Sequence, residues 1–433
     1  MGGAVVSRTW ALRKHKPSGG EGGAGGAVTA ADRRRLAPDF GAQNPLDMLR
    51  RRFHSGELGS VPVALGLVVV WVIFESLNEN FLSPRNLSNL AVDIVGTGMI
   101  AIGVVFVLLL GEIDLSVGSV SGLAAAAFAV LSVSHGVPEG LALLVAVLGG
   151  TVIGAVQGFF FAKVGVPAFV VTLAGLLGWN GLMLYILGAN GTINIDDKGL
   201  LAMLTSYYFN NVAAAYGLAA LGTAGYFLAS YHDARRRRAA GVPTRPLSEI
   251  LLRTGVLAVI AMAAATVLNL FLGLPLALLI FLIMLVGLDY VLRRTRYGRM
   301  IFAIGGSVEA SRRTGLNVDL VRISVFMVSG TMAAIGGLFL ASRVTSASQT
   351  SGAGLLLMDA IAAAVIGGTS LFGGRGRTWS ALLGVLVIQS IASGVALMGI
   401  RTAVQFMITG GVLLIAVVID SLSRRAQKAH GRV

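Results

Sequence analysis

The sequence predicts an all-α, polytopic integral membrane protein of about twelve membrane-spanning helices, with both termini on the cytoplasmic side. Three observations carry that expectation. Of 433 residues, 55% are hydrophobic and only 12% charged, roughly half the charged share of a soluble domain, so the chain cannot build a water-facing surface of ordinary polarity. From Val61 onward, apolar runs long enough to cross a ~30 Å hydrocarbon layer at about 1.5 Å per residue follow one another. Finally, 34 Lys and Arg against 20 Asp and Glu give a net charge of +14, and the cations punctuate the apolar runs instead of sharing one domain. That distribution marks topology and argues against nucleic acid as a partner.

Residues 1–58 are expected to form a disordered basic cytoplasmic arm. They hold a Gly/Ala-rich tract from Ser18 to Ala27 and arginine clusters at Arg33 to Arg35 and Arg50 to Arg52, with no apolar stretch long enough for a signal-peptide core. The predicted spans are 61–78, 88–110, 115–134, 140–162, 168–189, 207–230, 249–268, 272–292, 320–341, 356–372, 379–398 and 403–421. Residues 423–433 would then be a cytoplasmic tail. With the N-terminus inside, thirty cations fall inside and only Arg85, Lys198, Arg343 and Arg401 fall outside. A single miscounted span would invert everything after it, so the asymmetry supports the whole count. Residues 200–270 read as an inserted helix pair around an Arg235 to Arg238 loop, which Pro243 and Pro246 keep from continuing as helix. Two spans are irregular: Asn210 and Asn211 interrupt the start of 207–230, and 356–372 has the character of a partly re-entrant element.

Several chemistries are missing. With no cysteine, disulfides, thiolate metal sites and cysteine nucleophiles are excluded. His15, His54, His135, His232 and His430 all fall in predicted loops or termini, so they assemble neither a metal site nor an intramembrane proton relay. No Gly-Lys dipeptide occurs, which removes a Walker A loop, and there is no G-x-S-x-G elbow. The chain is therefore not expected to be an enzyme. If ATP drives it, another polypeptide hydrolyses the ATP.

Four segments remain informative. Gly111-Glu-Ile-Asp-Leu-Ser-Val-Gly118 puts Glu112 and Asp114 between two apolar spans, where carboxylates are costly unless they face protein or water. Asp114 and Ser116 either cap the following helix or line a permeation path or gate. The second segment, from Lys163 to Leu173, has Pro167 well placed to start a helix, and Pro167 and Thr172 are its candidates for direct substrate contact. In the third, the loop 293–320, Ser307 is a good N-cap, Glu309 sits where the helix dipole favours an anion, and Gly315 is a good helix-ending residue. These predict a helix of about two turns outside the membrane, with Ala310 at its centre, that must be held by packing because so short a helix is barely stable alone. It serves either as a docking element or as a simple connector. The fourth segment, Gly367-Gly-Thr-Ser-Leu-Phe-Gly-Gly-Arg-Gly-Arg377, lies on the same side as the first, eight spans later. Its glycines let backbones approach closely.

In this order the segments resemble the sugar permease family of bacterial ABC importers, which contains the ribose, xylose and galactose permeases. The resemblance rests on Gly111 to Gly118 (G-x-I-D-L-S-V-G), Val166 to Leu173 (V-P-x-F-V-x-T-L), Ala303 to Val318 (A-I-G-G-x-x-E-A-x-x-x-x-G-x-N-V) and Asp359 to Gly376, and covers about residues 60–422. Glu112 and the insert at 200–270 look most like the xylose type, since shorter members have about ten helices and commonly glycine at the Glu112 position. The long arm departs from the usual pattern. The resemblance implies a permease domain over 59–422 in the bacterial plasma membrane, in contact with lipid and importing a monosaccharide, xylose before ribose or galactose. It implies a second permease subunit (a homodimer), two cytoplasmic ATP-binding subunits and an extracytoplasmic sugar-binding protein. No cofactor would be bound by this chain, ATP and Mg being used by the ATPase. Coupling would run through Gly305, Gly306, Ser307, Glu309, Ala310, Arg312 and Gly315. Gly111, Glu112, Asp114, Ser116, Gly118, Pro167, Thr172, Asp359, Gly367 and Gly368 would be the pore or gate candidates.

An ion-coupled secondary transporter of a small polar solute is the alternative. It would bury a coupled set of ionisable residues near the midplane, whereas Asp93, Asp289 and Asp359 fall near predicted span ends.

Overall fold

The computed structural model describes residues 61–189, 191–242 and 244–429. The predicted arm at 1–58 and residues 430–433 lie outside the described residues. Helices dominate: α1 (Val61–Leu77), α2 (Pro84–Leu109), α3 (Val117–Ala129, continued by a π turn to Ser134), α4 (Glu139–Phe159, with a π turn to Val164), α5 (Ala168–Leu187), α6 (Leu200–Ser206), α7 (Val212–Ala239), α8 (Leu247–Asn269), α9 (Leu276–Arg294), α10 (Arg296–Gly306), α11 (Val308–Arg313), α12 (Val318–Val344), α13 (Leu356–Ile366), α14 (Trp379–Leu397) and α15 (Thr402–Ala429). Four short strands, β1 (Thr192–Asn194), β2 (Tyr208–Phe209), β3 (Leu274–Pro275) and β4 (Ser346–Ser348), form two antiparallel ribbons, β1 with β4 and β2 with β3.

Each of the twelve predicted spans has a helix, but they are not equivalent. Among the described residues nine helices are long and apolar enough to cross a membrane, while Val61–Leu77, Leu356–Ile366 and the apolar part of α15 are shorter. The 356–372 span is corrected most. Its helix ends at Ile366, and Gly368 turns the chain with φ 103°. At about 1.5 Å per residue α13 covers only half a hydrocarbon layer, and the rest of the predicted span is non-helical. Two other boundaries move. Arg235 to Arg238, expected in a loop, are helical and end α7, as is His232; cations in a last turn suit the helix dipole. The tail expected to begin at 423 instead starts inside α15.

Helix α12 lies at the centre, against α2, α3 and α4. Apolar contact between helices gains little over contact with lipid, so association depends on close packing. Gly150, Gly154 and Gly158, spaced by four along one face of α4, meet Gly330, Phe326 and Ile323 of α12, and a Cβ on Gly154 would overlap the Phe326 carbonyl. A hydroxyl pair, Thr151 and Thr331 at 2.7 Å, adds a polar bond along this seam. Helix α2 is buried along nearly its whole length.

Arginine-bearing connections gather at one end of the bundle. There Lys163 pairs with Asp319 at 3.3 Å, Arg294 with Asp233 at 3.5 Å, and Thr378 donates to Asp289 at 3.1 Å. The opposite end carries both ribbons, the bond from the Leu201 amide to Glu139 at 3.0 Å, and the Arg343–Asp93 pair at 2.8 Å.

Candidate functional site

The four informative segments, far apart in sequence, meet at the arginine-rich end. Helix α2 stops at Leu109, whose carbonyl accepts a hydrogen bond from the Gly374 amide at 2.9 Å. Gly305, at the end of α10, rests on this same carbonyl and on Gly374, leaving no room for a side chain. A Cβ on Gly373 would lie 2.8 Å from the Gly305 carbonyl and 2.9 Å from the Gly111 amide nitrogen, and one on Gly111 would lie 3.3 Å from the Phe372 carbonyl. Residues 109–111, 305 and 372–374 thus form one backbone-to-backbone junction. Within the fourth segment Ser370 N–H donates to Arg375 O at 2.9 Å and Phe372 N–H to the Ser370 hydroxyl at 3.2 Å, which hold the loop in shape.

The second segment reaches the first through Thr172, whose hydroxyl donates to Ala168 O at 3.0 Å and approaches Ile113 O at 3.4 Å. Thr172 is buried, so its role is to join α5 to the loop after α2. Pro167 is the exposed residue that starts α5 (φ −53°, ψ 137°) and takes no part in the junction.

Asp114 is buried, and its carboxylate is satisfied. It accepts from Ser116 N–H at 2.9 Å, Ser116 Oγ at 2.7 Å and Ser329 Oγ at 2.8 Å. Ser116 is also 2.9 Å from the Gln157 amide nitrogen. The capping expectation is corrected in detail: Ser116 is the N-cap of α3 but makes no side-chain cap bond, and Asp114 satisfies the N-cap's own N–H. The effect is to tie the loop to α12 and α4. Ser329 and Gln157 escaped the sequence reading; the available signals were a lone glutamine between Gly154 and Gly158 and a serine beside Gly330, each in an apolar run.

Glu112 is half-buried and faces the Arg322 charge. Burial pushes its carboxyl above the usual range, and Arg322 partly offsets this. The Arg322 guanidinium also lies 4.5 Å above the Phe161 ring. Gly118 packs on Gly352 O at 2.6 Å and Leu357 Cβ at 3.5 Å for a notional Cβ, bringing the start of α13 and the loop before it against α3. Two residues on, Asp359 is buried in the first turn of α13 and its Oδ1 has no hydrogen-bond partner among the described residues. Gly367 packs against the Ser380 backbone where α13 hands over to α14, and Gly368 is exposed.

The extramembrane helix forms as α11. Ser307 accepts from the Ala310 amide at 3.2 Å, Glu309 lies in the first turn and pairs with Arg313 at 3.2 Å, and Gly315 follows with φ 80°. Ser311 is buried, so one face is held by the protein, and the exposed Arg312 reaches to 3.9 Å from Asp319. Gly306, Glu309, Ala310, Arg312 and Gly315 are exposed on the other.

A family described as "Branched-chain amino acid transport system / permease component" matches residues 86–417. The chain belongs to this permease family. It is 36% identical to the xylose transport system permease protein of Escherichia coli (strain K12) over 363 residues, 84% of this chain and 90% of that protein. It is 33% identical to the xylose transport system permease protein of Haemophilus influenzae, covering 83% and 96%. Against the ribose import permease protein of Bacillus subtilis the identity is 31%, covering 86% and 96%. No solved structure matches the chain. As a permease component it is a non-catalytic transport subunit, a multi-pass protein of the bacterial inner membrane, similar to xylose-type and ribose-type sugar permeases. The matched residues of the permease contain the whole junction and α11.

Proposed function

We propose that this permease imports a monosaccharide, xylose before ribose or galactose, as the membrane subunit of an ATP-binding cassette transporter. The family's description names branched-chain amino acids, but the xylose and ribose permeases align over more than four-fifths of the chain, which supports a sugar. The carrying observation is the junction: α11 presents an exposed face one residue beyond α10, and Gly305 of α10 bears directly on Leu109 and on the 372–374 loop. In this reading the arginine-rich end is cytoplasmic, and two ATP-binding subunits that use ATP and Mg press on residues 305–315. The permease pairs with a second copy, and an extracytoplasmic binding protein delivers sugar at the end bearing the ribbons. The permease domain spans 59–422, with a basic cytoplasmic arm before it. This chain binds no cofactor. Gly111, Glu112, Asp114, Ser116 and Gly118 act at the gate, with Asp359 and its unpartnered oxygen facing the path.

An ion-coupled transporter, which would need a coupled set of buried ionisable residues, is disfavoured because Asp114 is engaged by Ser116 and Ser329, Asp93 is paired with Arg343 and Asp289 with Arg293, leaving Asp359 by itself in that set among the described residues. The test is uptake of labelled xylose, ribose and galactose in a strain lacking its own permeases and supplied with this permease, its ATPase and its binding protein. Uptake abolished by an inactive ATPase supports the reading. Uptake that survives ATPase inactivation and collapses with a protonophore would refute it.

A further inference from the structure

At the arginine-rich end four guanidinium groups from three segments (245–253, 293 and 377) surround two carboxylates. Glu249 of α8 pairs with Arg253 at 2.6 Å and meets Arg245 at 4.0 Å, while Asp289 of α9 lies 3.5 Å from Arg293 and accepts from Thr378 at 3.1 Å. Thr378 follows Arg377, and the charges acting on Arg377 are Arg293, Asp289, Arg245 and Arg253. Burial, and then Arg293, hold the Arg377 guanidinium below its usual range, as expected where cations are crowded. The surroundings are those of a membrane interface. Tyr290 is 64% exposed and Trp379 39% exposed, both beside the cluster, where aromatic residues mark the headgroup level. Deeper along α9, Val286 and Ile283 continue the Arg293 and Tyr290 face, and along α8 Val256 and Ile260 continue the Arg253 face; all four are exposed. Cationic groups thus sit above two apolar stripes.

We propose that Arg245, Arg253, Arg293 and Arg377 bind the phosphate of an anionic phospholipid whose acyl chains lie along the exposed faces of α8 and α9. Charge complementarity selects the anionic headgroup, and the apolar stripes select a lipid over a soluble anion. The insert thereby acquires a role: it contributes Arg245 and Arg253, and the lipid fastens it to α9 and to the loop before α14.

The test uses the full-length permease in detergent micelles, titrated separately with phosphatidylglycerol, phosphatidylcholine and inorganic phosphate. The thermal midpoint and the lipid retained in native mass spectrometry are read. Phosphatidylglycerol is expected to raise the midpoint and remain bound, and the other two are not. Arg253→Gln with Arg377→Gln should weaken the apparent phosphatidylglycerol affinity about thirty-fold, about five-fold per arginine. Arg235→Gln with Arg236→Gln, exposed and off the cluster, should leave it within about two-fold. Should the cluster pair fail to fold, Arg377→Gln alone supplies the five-fold reading, and Arg377→Lys should retain binding. Equal weakening by both pairs, or none by either, overturns the proposal. So does inorganic phosphate reproducing the shift, which would indicate a free-anion site, or unchanged lipid affinity with loss of ATPase co-purification, which would indicate a protein interface.

Discussion

The junction at Gly305, Gly373 and Leu109 can be weighed with three alanine substitutions that separate backbone strain from crowding. Gly315 has φ 80° and open space around it, so Gly315→Ala carries only the left-handed backbone cost, about 1–2 kcal/mol. Gly305 is helical, and its notional Cβ meets the Leu109 carbonyl and the Gly374 nitrogen, the latter at 2.7 Å. Gly305→Ala gains up to about 1 kcal/mol of helix propensity but overpacks against backbone that has no rotamer to yield, so the upper end of the usual 1–3 kcal/mol applies. Gly373 combines φ 84° with backbone at 2.8 and 2.9 Å, and Gly373→Ala should cost about 2–5 kcal/mol, the sum of both effects. The expected order of lost stability is Gly373, then Gly305, then Gly315, measured by denaturant unfolding of the permease in mixed micelles. Because Gly305 and Gly373 face one gap, their double variant should cost less than the sum. A Gly305→Ala variant as stable as wild type, or an additive double variant, would mean that the backbones do not touch and would refute the reasoning.

Other substitutions probe the loop and the extramembrane helix. Asp114→Ala strands the Ser329 and Ser116 hydroxyls and should cost about 2–5 kcal/mol, whereas Asp114→Asn keeps an acceptor for Ser116 and should cost under about 1.5 kcal/mol; unfolding of both variants, with xylose uptake, checks this. Glu112 has its folded pKa raised by burial, so its contribution to stability is full below the unfolded value and is lost as pH rises through the folded one. Wild type should therefore lose stability relative to Glu112→Gln as pH rises above the unfolded carboxyl value of about 4.3, and a thermal-midpoint difference independent of pH would count against it. Glu309→Lys and Gly315→Val should abolish uptake and ATPase co-purification while membrane insertion persists, since the first reverses a first-turn charge and the second puts a β-branched residue at φ 80°.

The spans were legible because hydrophobic length is a local property. Even so, α7 could not be ended correctly, since Arg235 to Arg238 are good helix formers and the breakers lie later, at Gly241 and Pro246. The irregularity of α13 was legible in its glycines but its length was not, because an apolar run continuing to Phe372 does not reveal where the backbone turns. The caps of α11 were readable because Ser307 and Gly315 act on neighbouring amides and carbonyls. Asp114 was readable as an oddity, while its partner Ser329 was not, being 215 residues away and one serine among many. The arginine cluster was counted as topology, and its convergence required the three-dimensional placement of the 378 loop beside α9 and within reach of the charges of α8.

Backbone contact at the junction bears on how a push at α11 travels under the proposed function. Side chains in contact have rotamers that absorb small displacements, but Gly305, Leu109 and Gly374 touch through main-chain atoms. A shift of α10 must therefore shift the end of α2 and the 372–374 loop together, and with that loop the start of α14. The 111–116 loop is also anchored on its other side, through Asp114 to Ser329 of α12 and through Ser116 to Gln157 of α4. It is thus held between an element that α11 moves directly and a central helix packed by glycine against its neighbours. Relative motion of α10 and α12 has to be taken up in this loop, by turning about Gly111, whose φ is 82°, or by breaking the Asp114–Ser329 bond. Two carboxylates are tolerable at such a position because one is satisfied by hydroxyls and amide and the other faces Arg322, so the loop can change shape without exposing an unpaired charge to lipid.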